Sequence, residues 1–271
     1  MRYYIRFLLV AVFCGFFSIF NYTKNVSEIT VSDIILMTGL NGVDYYPQYL
    51  PEITYWFVPL LLFQIFFGTY IYRHFCSASV YFFSRNCKRI SWFLKEVIKL
   101  YLFVLMYLFI MIFSGILITG IFVKVIIDEV FFLIFIYYLL VYSLFLLVTT
   151  LGINILAVVF GSNIGFVIVE SIIIFGITVF SIIGNYFIIE EALLDKYTWI
   201  LKLNPVSHII FSVHSSKINS INELINKKSI TFDLDLSVLM LLIASVIVII
   251  CGCFVISRHD FVDINKETGG I

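Results

Sequence analysis

Long apolar runs without a single charge set the pattern of this chain. Residues 7–23, 53–72, 100–123, 171–189 and 236–257 contain no Asp, Glu, Lys or Arg. A helix needs roughly 17–25 such residues to cross a bilayer, so each run is long enough to do so. The run 130–169 is 40 residues long, room for one crossing and most of another. Its middle, "LGINILAVVFGSN", supplies the Gly, Asn and Ser at which helices end. The runs are continuously apolar rather than alternating, which favours helices over a barrel. The prediction is an all-α membrane protein with one six-helix transmembrane domain over residues 1–271. Its spans lie at about 4–22, 53–72, 99–121, 130–151, 164–187 and 236–257.

Two of the intervening polar segments are long enough to carry structure. Within residues 23–52, "VSDIILMTGL" predicts a short amphipathic helix with Ser32 as cap and Gly39 or Gly42 as terminator. Between the last two spans, about 188–235, Asn204 and Pro205 read as a cap and first helical residue. Ser220 and Glu223 form the pattern of a capping box, after which Ile218, Ile221, Leu224 and Ile225 share one face. Two short helices lying at, or dipping into, the outer leaflet are expected there.

Composition narrows the class. The mean hydropathy is +1.09, 62% of residues are hydrophobic and 13% are charged, which excludes a soluble globule. The first span follows Arg2 and Arg6 as a signal peptide would, but no small-residue cleavage site follows it. A net charge of zero conceals an asymmetry. With six spans, ten Lys and Arg and four acidic residues fall on the side of the termini, against seven and twelve opposite. Cation excess marks the cytoplasmic face, so both termini are expected inside. The abundance of Asn, Ile, Lys and Phe points to an AT-rich genome and a multi-pass protein of the bacterial plasma membrane. Five cysteines show no disulfide pattern, and "CGC" at 251–253 lies in an apolar helix without further ligands, so packing is favoured over a metal.

Catalytic patterns are missing. No phosphate-binding loop, G-x-S-x-G or H-E-x-x-H occurs, and no cofactor, metal or nucleic-acid partner is implied. "EEALLDK" at 190–196 has the paired glutamates of intramembrane prenyl-peptide proteases but lacks the arginine and any histidine within a span. The four histidines are scattered and expected in solvent. Glu170 is the one acidic residue expected inside the membrane, about 10 Å into a helix starting near Asn163, where an ionisable group marks a pathway or a partner. Asn154, Asn163, Asn185 and Gln64 are candidates for inter-helix polar contacts or pathway groups.

One short stretch departs from the rest: "YFFSRNCKRISWFLKE", residues 81–96, holds four Arg or Lys. Orientation explains cations there but not Phe82, Phe83 and Trp92 among Arg85 and Arg89. Aromatics flanked by arginine are the composition of a protein-binding hot spot. Together with six spans and a structured segment before the sixth, this resembles the permease subunits of type 2 ABC exporters. "FGTYIYRHF" and "SRNCKRISWFLKE" are similar to that family's Gly-Thr, Ser-Arg and Lys sequence before the third span. "LKLNPVSHII" and "FVISRHDFVDI" resemble its Asn/Ser-Pro stretch and its closing Phe, basic pair and Asp. The resemblance implies a coupling helix over about 76–86 that seats Phe82 or Phe83 in a cytoplasmic ABC ATPase subunit. It also implies a second permease copy or a related permease, and a peptide or other amphiphilic substrate, of the peptide-export or bacteriocin-immunity type. A membrane-embedded immunity or sensor protein that moves nothing is the alternative; an ion-coupled transporter ranks third, because no internal repeat is visible.

Overall fold

The computed structural model describes residues 2–19, 27–39, 50–81, 88–189, 194–226 and 232–258. In chain order the elements are α1 (Arg2–Ile19), β1 (Glu28–Thr30), α2 (Val31–Thr38), α3 (Leu50–Phe67), α4 (Tyr70–Tyr81), α5 (Arg89–Phe122) and β2 (Lys124–Ile126). Then follow α6 (Phe131–Phe160), α7 (Ser162–Ile189), α8 (Leu194–Leu203), α9 (Asn219–Ile225) and α10 (Leu234–Arg258). The chain is an all-α membrane protein. Among the described residues, five helical segments are long and apolar enough to cross a membrane: Trp56–Cys76, Arg89–Phe122, Phe131–Phe160, Ser162–Ile182 and Leu234–Arg258. A shorter apolar stretch, Arg6–Ile19 of α1, packs beside them.

The bundle is organised around α6, which touches α2, α3, α4, α5, α7 and α10. Half of its most apolar stretch is buried inside the protein, against 22% for α10, so α6 is the core helix and α10 mostly faces lipid. Close approach relies on small residues. A Cβ on Gly15 of α1 would stand 2.2 Å from the Met111 carbonyl of α5, and one on Gly165 of α7 would stand 2.6 Å from the Ala157 nitrogen of α6. The α6–α7 corner turns at Gly161, whose φ of 95° only glycine adopts freely.

Several helix boundaries differ from expectation. The fourth span does not stop near residue 151; α6 continues to Phe160, because Gly152 and Asn154 face other helices and only Gly161 takes the conformation that ends a helix. The second span is not one straight helix: α3 ends at Phe67 and α4 begins at Tyr70. The helix containing the third span starts ten residues early, at Arg89, and its 34 residues make it about 50 Å long. The hydrocarbon core is about 30 Å thick, so part of α5 stands outside it.

At the far end of α5, β1 and β2 pair in parallel with Glu28 opposite Lys124, Ile29 opposite Val125 and Thr30 opposite Ile126. The hydrophobic pattern held no signal for two strands of three residues each. The cap of α2 is also not Ser32. Thr30 Oγ1 accepts from the Asp33 N–H at 3.1 Å, and Ser32 instead donates both its backbone N–H and its hydroxyl to Asp128, before α6. Gly39 ends α2 as expected, in an extended conformation.

Candidate functional site

Among the described residues, buried polar side chains gather at two breaks in the helices. The first is the elbow between α3 and α4. Two-residue interruption at Gly68 and Thr69 frees amide and carbonyl groups where no water reaches, which costs free energy unless another group pairs them. Asn154 of α6, only 1% exposed, does so. Its Nδ2 donates to the Phe67 carbonyl at 2.9 Å, and its Oδ1 accepts from the N–H groups of Ile71 and Tyr72 at 2.7 and 3.1 Å. One turn earlier, Gln64 Nε2 donates to Thr149 Oγ1 at 3.0 Å. Asn154 is therefore an inter-helix staple.

Beyond the break, α4 lies against α5 and α6. Ile71 and Phe75 are buried, while Arg73 and His74 are exposed. Glu96 of α5 is 4% exposed and sits between His74 Nδ1 at 3.2 Å and Lys99 Nζ at 2.6 Å. Trp92 packs on Phe75, with ring centroids 6.0 Å apart, and Arg89 is the first residue of α5, half-buried. Of the helix expected over 76–86, residues 76–81 form the end of α4, whose earlier residues continue the second span to Cys76. Phe82, Phe83 and Arg85 lie outside the described residues.

The second place is the segment between α7 and α10. After α8 the chain turns through two short 3-10 turns, Ser207–Ile209 and Phe211–Val213, before α9. Tyr137 of α6 bonds Asp235 at the start of α10 at 2.8 Å, while Tyr142, five residues further along α6, donates to the Ile209 carbonyl at 3.0 Å. The segment is therefore a hairpin packed between α6 and the first turn of α10. Phe211 continues a parallel stack of Tyr138 and Tyr142, whose rings are 4.2 Å apart. The short helix expected from Asn204 and Pro205 is not formed, and the 3-10 turn Ser207–Ile209 stands in its place. Asn204 Oδ1 accepts from the Val206 N–H two residues on, at 3.1 Å, and its Nδ2 donates to the Gly176 carbonyl of α7 at 2.8 Å. The expected capping box is also absent from α9, because the helix begins at Asn219 with Ile218 before it, placing Ser220 inside.

His208 and His214, expected in solvent, are 4% and 0% exposed. Both reach Ser237 of α10: His214 Nε2 at 2.7 Å and His208 Nδ1 at 2.9 Å from its Oγ. Their other ring nitrogens face the carbonyls of Ile210, at 2.7 Å, and Lys202, at 2.9 Å. Burial pushes His208 below the ordinary imidazole range and His214 down to about 3, although each facing carbonyl works the other way. Two neutral imidazoles and one hydroxyl hold three protons for four contacts, so only three of the four are hydrogen bonds at any moment.

Glu170 belongs to neither place. It lies eight residues into α7, 7% exposed, and neither carboxylate oxygen has a hydrogen-bond partner among the described residues. The structure thus joins Asn154 to the elbow, packs Trp92 on α4, leaves Arg89 at the start of α5 and keeps Glu170 apart. Sequence reasoning missed Ser237, Tyr142 and the histidine pair; two histidines six residues apart soon after Pro205 in an apolar chain were the available signal. Comparison with protein-family models, with curated proteins and with solved structures returns no match.

Proposed function

We propose that the chain is the transmembrane permease subunit of an ABC exporter. Six spans, formed by α1, α3 with α4, α5, α6, α7 and α10, put both termini in the cytoplasm. Separate cytoplasmic ATPase subunits bind the loop after α4, and a second permease copy or a related permease completes the transporter. The substrate is a peptide or another amphiphile.

The observation that carries this reading is the elbow. An α4 stapled to α6 through Asn154 and braced on α5 through the His74–Glu96 contact transmits force from the loop after it to two spans at once. Residues 73–99, which contain that loop, carry six of the chain's 17 Lys and Arg, as a cytoplasmic docking element requires. Glu170 adds a second support. A buried carboxylate with no hydrogen-bond partner among the described residues is costly at membrane depth, as a group used on a pathway or against another subunit would be.

The test is pull-down of the tagged full chain from its native membranes, with and without Phe82→Ala and Phe83→Ala together. Wild type is expected to retain an ABC ATPase, and the double variant to insert normally, lose it and stop export. Truncating such anchors typically costs about 2 kcal/mol or more each. Full retention and export by the double variant would reduce the loop to an orientation signal. A wild type that holds no ATPase would leave the immunity or sensor reading in its place.

A further inference from the structure

On the side of the bundle where β1 and β2 pair, an apolar slot of about 200 Å³ runs between α2, α5 and α6. Its α5 wall is Phe109, Ile112, Phe113 and Ile116, spaced i, i+3, i+4, i+7, which is one stripe along the helix axis about 10 Å long. Phe132 and Phe135 of α6 form the opposite wall, and α2 closes the end with Val31 and Ile35. No polar surface lines it.

We propose that this slot holds one acyl chain of a phospholipid from the leaflet on the α2 side. Three observations select that occupant. The mouth residues Phe109, Phe113 and Phe132 are 53%, 54% and 59% exposed yet belong to helices that cross the membrane, so hydrocarbon is what meets them. The slot runs parallel to α5 and hence to the lipid chains, not across them. Its size exceeds the roughly 150 Å³ of a cavity that takes benzene but falls below the roughly 300 Å³ at which drug-sized ligands begin. It admits part of a chain and excludes a headgroup. The polar groups at the α2 end, Lys124 paired with Glu28 and Ser32 with Asp128, leave the headgroup at the interface. Between helices already in lipid, such seating is driven by packing rather than by the hydrophobic effect, and aromatic walls supply it. The site owes nothing to transport and stands whether or not the chain exports.

The experiment uses the full chain in nanodiscs containing a phosphatidylcholine with a mid-chain diazirine, irradiated and mapped by mass spectrometry. Ile243 and Ile247 of α10 are the control, because they are 44% and 54% exposed and lie as many residues from the start of α10 as Phe113 and Phe109 lie from the end of α5. Adducts at Phe109, Phe113 and Phe132 are expected to exceed those of the control by about tenfold, and Ile116→Phe, which narrows the slot, should bring the two sets level. Native mass spectrometry of the wild type should also show one phospholipid held after detergent washing. Equal adducts on both helices in the wild type would mean bulk lipid only. Failure to retain a lipid, or disulfide cross-linking of Phe113→Cys between copies with no adducts at the slot, would likewise overturn the proposal, the latter by giving the slot to a second copy of the chain.

Discussion

The elbow at Gly68 and the hairpin at residues 204–213 solve one problem by different means. Each exposes backbone groups inside a bundle where water cannot satisfy them, and each leans on α6. At the elbow one neutral amide, Asn154, closes three backbone groups by itself. At the hairpin the load is divided among Asn204, Tyr142, Ser237 and two imidazoles, and two of those five side chains titrate. The elbow is therefore a fixed joint, insensitive to pH. The hairpin is a conditional one, held while its imidazoles stay neutral.

The largest effect should come from the fixed joint. Asn154→Leu keeps the volume but leaves the Phe67 carbonyl and the Ile71 and Tyr72 amides buried without partners, at roughly 1–3 kcal/mol each. A loss of about 3 kcal/mol or more is expected in denaturant unfolding of the purified protein, with little change between pH 7 and pH 5. A loss below 1 kcal/mol would show that the break is satisfied by water.

Acidification comes next and should act on the hairpin. The lowered His208 and His214 mean that the unfolded chain takes up protons at the ordinary imidazole value, near 6.5, while the folded chain does not. Stability is then complete above that value and is lost as pH falls toward the lowered values. For His214 alone, pH 7 to pH 5 removes about 2 kcal/mol. Hydrogen exchange localised to residues 204–216 checks this, and His214→Gln should flatten the profile. Uniform exchange across the bundle would break the contrast.

The smallest effect belongs to the exposed edge of the elbow. His74 is half exposed, and Glu96 keeps Lys99 when His74 is removed, so His74→Ala should change stability by only about 0–1 kcal/mol. A loss comparable to that of Asn154→Leu would move the fixed joint from α6 to α5.

Hydrophobic pattern made the crossing helices legible to within a few residues at most ends, as for α10, expected at 236–257 and found at Leu234–Arg258. It failed where a break sits inside an apolar run. "FFGTYIY" carries no charge and one glycine, and nothing local says that the helix stops at Phe67 rather than passing through. The same holds for the α6 end, where Gly152 and Gly161 look alike in sequence and only one takes a positive φ. Capping patterns misled for a related reason. Thr30 and Ser32 are both competent caps, and Asp128, 96 residues away, claims Ser32. The histidines were misplaced because polarity alone suggests solvent, whereas Ser237 and two carbonyls provide for them indoors.

By itself the sequence determined that this is a helical membrane protein and roughly where its long helices run. Backbone solvation in hydrocarbon depends on the local length and apolarity of each segment, both of which are written in consecutive residues. The tertiary structure alone decided where those helices break and what closes each break. The closing groups come from α6 and α10, with Asn154 standing 83 residues from Ile71 and Ser237 standing 29 from His208. A hydrogen bond is satisfied by distance and direction in space, and no periodicity along the chain encodes either.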